Sequence, residues 1–171
     1  MIELISKEKI ESSVNRIANQ INFDYEDRNP LFISVLSGSF VFLSDLIRKI
    51  NIDIEIDFIK VNSYKNLKST EKINFKFDLS TKIKNRNIII IEDIIDTGLT
   101  INTIYNYFLQ LKPKSISIAT LLFKKDRSNL NFNIDYVGFN IPLDFVVGYG
   151  LDYNQKLRNM DSIFLLENKD L

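Results

Sequence analysis

The chain contains no cysteine, which excludes disulfides, thiol catalysis and cysteine-based zinc sites. It contains no histidine either, which removes the Ser-His-Asp triad, histidine-ligated metals and any imidazole base. An enzyme built from this sequence must rely on carboxylates, lysine, tyrosine and backbone amides, and any metal it uses must be a hard, oxygen-seeking ion. Charge of one sign is missing too: 22 basic residues balance 22 acidic ones, so there is no basic footprint for nucleic acid. No apolar run approaches the ~18 residues that span a bilayer. The first residues, MIELISKEKIESS, lack a signal layout. These absences predict a cytoplasmic protein of one domain, residues 1–171, with no membrane or nucleic-acid partner.

What is present is biased. The 27 isoleucines, 19 asparagines and 16 lysines reflect composition as much as structure, so an apolar run counts only where periodicity or punctuation supports it. Ile10, Val14, Ile17, Ala18 and Ile21 share one face of a helix predicted from Ser6 to Ile21, with Ser6 as N-cap. Leu31 to Leu36 reads as a short buried strand. It is followed by a helix with Phe42, Leu43, Leu46, Ile47 and Ile50 inward. Ile52 to Val61 alternates, with Ile52, Ile54, Ile56 and Phe58 set against Asp53, Glu55 and Asp57, as expected of a half-buried strand. Asn62 to Lys72 is polar and aperiodic and reads as a mobile loop, and Phe75 and Phe77 as a hairpin arm. Ile88 to Ile91 is unbroken aliphatic, as in a strand covered on both faces. A helix from Thr100 to Leu111 follows, then strands at Ser115 to Phe123, Tyr136 to Phe139, Asp144 to Val147 and near Ser162 to Leu166. This alternation predicts an α/β fold with a mainly parallel twisted sheet, whose ligands sit beyond the carboxyl ends of the strands.

Only five glycines are used, and two of them, Gly38 and Gly98, lie where a buried strand turns into a helix. Backbone amides and the helix dipole collect a phosphate in that geometry, although a strand-to-helix turn also favours glycine for its own sake. The segment IIIIEDIIDTGLT, Ile88 to Thr100, says more. Glu92 and Asp93 directly follow the buried run and Asp96 comes three residues later. Three carboxylates at such a strand end repel one another unless a cation or a hydroxyl-rich ligand sits among them. Thr97, Gly98, Leu99 and Thr100 then offer two hydroxyls and successive amides. Helix capping by Asp96 or Thr100 accounts for one of these residues at most. A sugar phosphate would satisfy both halves of the segment.

IIIIEDIIDTGLT resembles the phosphoribosyl-pyrophosphate motif of the type I phosphoribosyltransferases, in their purine-salvage form. LSGSFVFLSDL (Leu36 to Leu46) resembles that family's pyrophosphate-binding turn, and NSY (Asn62 to Tyr64) the Ser-Tyr of its closing loop. LLFKK (Leu121 to Lys125) and VGFNIPLDFVVGYGLDYNQKLRN (Val137 to Asn159) resemble its purine-binding and C-terminal segments. Order and spacing hold from about residue 31 to 166. The resemblance implies a sheet flanked by helices, with a small hood formed by the N- and C-terminal segments and the loop, and a dimer or tetramer. It implies transfer of phosphoribose from phosphoribosyl pyrophosphate to a 6-oxopurine, hypoxanthine and with it guanine, with Mg²⁺ as cofactor.

The same resemblance implies the residue roles. Glu92 and Asp93 match the acidic pair at the ribose hydroxyls, and Thr97, Gly98, Leu99 and Thr100 the loop around the 5′-phosphate. Ser37, Gly38, Ser63, Tyr64 and Arg158 match pyrophosphate contacts. Asp96 matches the catalytic residue at purine N7. Lys124, Phe145, Val146 and Asp152 match the purine site, with Lys124 at O6, and Asp152 with Glu92 and Asp93 would reach the metal. In two places the chain departs from the pattern: the loop reads KNLKSTEK without glycine, and Ser37 stands where some relatives carry Lys or Arg. Two further readings compete: the same reaction with guanine or xanthine preferred, and a regulatory protein that senses phosphoribosyl pyrophosphate and binds nucleic acid. The neutral charge and the presence of Asp96 weigh against the second.

Overall fold

The computed structural model describes residues 1–60 and 79–166. Five parallel strands form the main sheet: β2 (Leu31–Leu36), β3 (Glu55–Lys60), β4 (Asn87–Ile95), β5 (Ser115–Phe123) and β6 (Tyr136–Asn140), in the order β3-β2-β4-β5-β6. Helices α1 (Lys7–Asp24) and α2 (Phe40–Ile47) cover one face and α3 (Leu99–Gln110) the other. The two faces divide β4 by parity: Ile89 and Ile91 pack with Ile17, Ile21 and Phe42, while Ile88 and Ile90 pack with Ile101, Ile104 and Phe108. Both sides are sealed, which is why the isoleucine run reads as continuous. Among the described residues no helix is long and apolar enough to cross a membrane.

A second, three-stranded antiparallel sheet joins the chain ends. β1 (Ile2–Ile5) pairs with β8 (Ile163–Leu165), which pairs with β7 (Val146–Val147). This is the expected hood in its N- and C-terminal part; β1 itself gave no signal in four residues. Ser6 holds the N-cap position of α1 in extended backbone, but its hydroxyl makes no cap hydrogen bond. Ser63, Tyr64, the 62–72 loop and the arm with Phe75 and Phe77 lie outside the described residues.

Three expectations need correcting. First, β3 begins at Glu55 rather than Ile52, because its pairing starts where the Glu55 N–H reaches the Pro30 carbonyl at 3.2 Å. Second, its alternation is inverted: Asp57 and Ile59 are buried, while Ile56 and Phe58 are 37% and 44% exposed. Ile59 packs with Leu31, Ile33 and Ile90, and the inward Asp57 carboxylate is satisfied by the chain returning beside it. It accepts the Phe58 and Thr81 N–H groups at 2.8 Å each and the Ser80 hydroxyl at 3.2 Å. These bonds hold the Asp57 pKa below its ordinary value against the cost of burial. Third, β7 comprises only Val146 and Val147, so Phe145 lies just outside the strand.

Candidate active site

The strand β4 runs four residues further than its aliphatic run suggests and carries both acids within it, Glu92 pairing with Thr120, Ile94 with Leu122 and Ile95 with Phe123 on β5. On its other side, pairing with β2 ends at Ser34 and Ile91. Beyond that point β4 has no strand beside it, and the turn at residues 36–39 fills the place. Because strand side chains alternate, Glu92 and Asp93 leave β4 on opposite faces. Asp93 reaches the turn: a Cβ on Gly38 would overlap its carboxylate, so any side chain there would force Asp93 to move. The Leu36–Ser37 peptide is cis. The turn is braced from below by the buried Ser39 hydroxyl, 2.6 Å from that of Ser34 and donating to the Val35 carbonyl at 2.5 Å.

Two adjoining pockets hold the predicted residues other than Ser63 and Tyr64. The larger, about 330 Å³, is lined by Ser37 and Gly38 from the first turn, Asp93 and Asp96 from the end of β4, Lys124 after β5, Phe145 and Val146 before and in β7, and Asp152 and Arg158 beyond it. The smaller, about 90 Å³, is lined by Glu92, Asp96, Thr97, Gly98, Leu99 and Thr100. Asp96 borders both. Gly98 has φ +85 as N-cap of α3, a conformation that L side chains rarely adopt. The Leu99 N–H donates to Thr97 Oγ1 at 3.3 Å and the Asn102 N–H to the Gly98 carbonyl at 2.9 Å, closing the first helical turn.

The carboxylates do not share one environment. Burial pushes the Glu92 pKa well up, and Asp93 beside it pushes the same way. Burial raises Asp93 to about 6, against hydrogen bonds from the backbone N–H groups of Ile94 and of Asp93 itself and the pull of Arg158, with Asp152 adding repulsion. Asp96, expected to stand among acids, instead has two cations. Lys124 Nζ donates to its Oδ2 at 3.5 Å and to the Leu143 carbonyl at 3.4 Å. Arg127 Nη1 lies 3.2 Å from each oxygen of Asp96, aligned on Oδ2, so Oδ1 is buried without a hydrogen bond. Lys124 is only 4% exposed, so its charge is held in the pocket rather than at a solvated strand end. Arg127 was missed because a basic residue in KKDRSN looks like surface; a cation three residues after Lys124, on the turn leaving β5, was the available clue.

At the far wall Arg158 Nη2 pairs with Asp152 Oδ1 at 2.7 Å, and its Nη1 donates to the Gly150 carbonyl at 2.8 Å. Val146 is buried, while the Phe145 ring is 47% exposed and meets Tyr153 edge-on, centroids 6.1 Å apart. An open aromatic face at a pocket rim suits a flat ring. The proposed metal set is not brought together: Asp93 and Asp152 share the larger pocket, Glu92 faces the smaller one, and among the described residues no three carboxylates converge on one point.

A parallel sheet with two glycine turns and divided carboxylates at its carboxyl edge, beside a half-open aromatic rim, defines an α/β protein whose candidate site lies where open parallel sheets bind their ligands. Comparison with known proteins agrees: a phosphoribosyl transferase domain matches residues 3–154, and the chain belongs to that family. Within it, the chain is 42% identical over 165 residues to the hypoxanthine-guanine phosphoribosyltransferase of Bacillus subtilis (strain 168), covering 96% of this chain and 92% of that protein. It is 40% identical to the hypoxanthine phosphoribosyltransferase of Buchnera aphidicola subsp. Schizaphis graminum over 163 residues, covering 94% of this chain and 92% of that one. The crystal structure of a hypoxanthine-guanine phosphoribosyltransferase from Bacillus anthracis superposes with a TM-score of 0.91 at 42% identity, covering 98% of this chain and 99% of that one.

Proposed function

We propose that the protein is a purine-salvage enzyme that transfers the 5-phosphoribosyl group from phosphoribosyl pyrophosphate to hypoxanthine, giving IMP and pyrophosphate, with guanine as a second substrate. The observation that carries this reading is the convergence, in one pocket, of residues from four separate stretches: 37–38, 93–96, 124 and 145–158. The purine lies against Phe145, with Lys124 at O6 and the Val146 backbone and Asp152 along the 2-position edge. As N9 attacks C1 of the ribose, the bond from C1 to the pyrophosphate oxygen breaks and the leaving group takes the electron pair. Asp96, which lines the pocket beside Lys124, accepts the N7 proton.

Glu92 and Asp93 meet the ribose hydroxyls from opposite faces of β4, and their charge favours the positive character that develops at the sugar. Thr97 to Thr100 bind the 5′-phosphate at the start of α3. Ser37, Gly38 and Arg158 hold the pyrophosphate, with Ser63 and Tyr64 of the loop as further contacts. Asp93 and Asp152, two hard oxygen donors in one pocket, would hold Mg²⁺. When bound it neutralises charge on the leaving pyrophosphate. The reading includes a single domain working in the cytoplasm, without membrane or nucleic-acid partner, as an assembly of two or four copies, which light scattering would size.

The test is nucleotide formation from phosphoribosyl pyrophosphate and Mg²⁺ with hypoxanthine, guanine, xanthine and adenine in parallel. Turnover of hypoxanthine but not adenine is expected. Asp96→Asn should lower kcat by roughly a hundredfold or more while leaving phosphoribosyl pyrophosphate binding within a few-fold. Failure of every base to react would sink the reading.

A further inference from the structure

The segment 148–158 carries two charges of the larger pocket, Asp152 and Arg158, and is seated tightly on the first turn. Gly150 lies so close to the Gly38 carbonyl oxygen that a side chain there would overlap it. Tyr149, between two glycines with φ +97, itself has φ +49. A bulky residue is disfavoured in this region, so other contacts must hold it. Its side chain is buried, and its N–H donates to the Met160 carbonyl at 2.8 Å. Its phenol donates to Oδ2 of Asp45 on α2, the helix that the 36–39 turn opens. Burial and the Asp45 carboxylate both raise the phenol pKa, so the hydroxyl remains a donor at any working pH. Asp45 in turn pairs with Arg48 through its other oxygen. One hydrogen bond thus ties the helix behind the pyrophosphate turn to the segment bearing Asp152 and Arg158.

We propose that Tyr149 and Asp45 are a positioning pair that fixes the spacing between the 36–39 turn and Arg158 on the opposite wall, and thereby sets affinity for the pyrophosphate half of the substrate more than for the purine half. The proposal rests on the phosphoribosyl-transfer reading and adds to it two residues with no contact to the reacting groups. The purine side is anchored independently: Lys124 by Asp96 and the Leu143 carbonyl, and the Phe145 carbonyl by the Leu166 N–H at 3.0 Å. Asp45 and Tyr149 also line a cavity of about 580 Å³ between α1, α2 and residues 149–161. The Asp45 side chain is 33% exposed, so removing the phenol leaves its carboxylate with Arg48 and water rather than buried and unpaired. Tyr149→Phe is therefore expected to fold.

In steady-state assays, Tyr149→Phe should raise KM for phosphoribosyl pyrophosphate, and KM for pyrophosphate in the reverse reaction, about tenfold, the scale of one charge-assisted hydrogen bond. KM for hypoxanthine and kcat should stay within about twofold, as expected where only ground-state holding of one substrate changes. Asp45→Ala should reproduce this split, and Asp45→Asn, which keeps a carbonyl acceptor for the phenol, should restore most of it. A fall in Tm with both KM values unchanged, or with both raised together, would overturn the proposal and leave the pair a stabilising contact. A wild-type protein that turns over no base would overturn the underlying reading and this inference with it.

Discussion

The turns after β2 and β4 look alike in sequence, each a buried strand, a glycine and an amphipathic helix, yet their glycines answer to different constraints. Gly98 is a matter of backbone: its φ of +85 starts α3. Gly38 has no positive φ; it is glycine because the Asp93 carboxylate of the adjacent strand occupies the space a side chain would need. The bracing differs too. Buried hydroxyls of Ser34 and Ser39 lock the first turn from inside. The second is held by a chain segment laid over it, with the Asn129 N–H on the Thr97 carbonyl at 3.2 Å and Asn102 Nδ2 on the Asn129 carbonyl at 2.7 Å. One turn is shaped by crowding between neighbouring strands, the other by local dihedrals, and substitutions should separate the two.

The largest effect is expected at the crowded turn. Gly38→Ala should weaken phosphoribosyl pyrophosphate binding roughly a hundredfold, by displacing groups that hold the substrate, and cost about 1–3 kcal/mol of stability. Adding Asp93→Ala should return most of the stability, since the clash is with that side chain alone, but none of the affinity; strict additivity in denaturant titrations would refute the crowding account. At the second turn, Gly98→Ala should cost about 1–2 kcal/mol through φ alone. Leu130→Ala, which clears the nearest side chain, should not rescue it, and full rescue would show that space rather than backbone sets this glycine.

The smallest effect is a pH dependence read at Asp93. Its pKa of about 6 lies above the ordinary 3.8, so the fold disfavours the charged form. The stability this group contributes is present below pH 4 and is lost as pH rises through 6. Asp93→Asn should therefore raise the Tm of the ligand-free protein relative to wild type, with the gap widening from pH 4 to pH 7, even as activity falls. Ligands that need the carboxylate charged should bind wild type more weakly as pH drops through 6, which calorimetry would detect as proton release near that pH. A gap in Tm that does not change with pH would contradict the burial of this charge.

The second turn was the more legible in sequence, and the contrast explains why. Carboxylates, threonines and a glycine within nine residues state their chemistry locally, whereas Gly38 owes its identity to Asp93, 55 positions away. The same reason hid other features. The inward parity of Asp57 depends on Ser80 and Thr81 returning beside it, and an isoleucine-rich strand looks equally plausible either way round. Reading Glu92 and Asp93 as a pair after the strand missed that pairing with β5 continues through them, which sends them to opposite faces. Arg127 and the Tyr149–Asp45 tie show only in three dimensions. The order of elements from α1 onward, by contrast, followed from helical periodicity and turn punctuation, which are local.

The pairing of β1 with β8 also bears on biosynthesis. Ile2 finds its partner in Leu165, so β1 leaves the ribosome about 160 residues before the strand it pairs with. The five-stranded sheet has all its strands once Asn140 has emerged, and both turns lie within that part. The wall carrying Asp152 and Arg158 arrives only with the last strands. Chains truncated between Asn140 and Ile163 would thus carry the two glycine turns but lack the completed hood, so that the pocket is made whole only after the main sheet has all its strands.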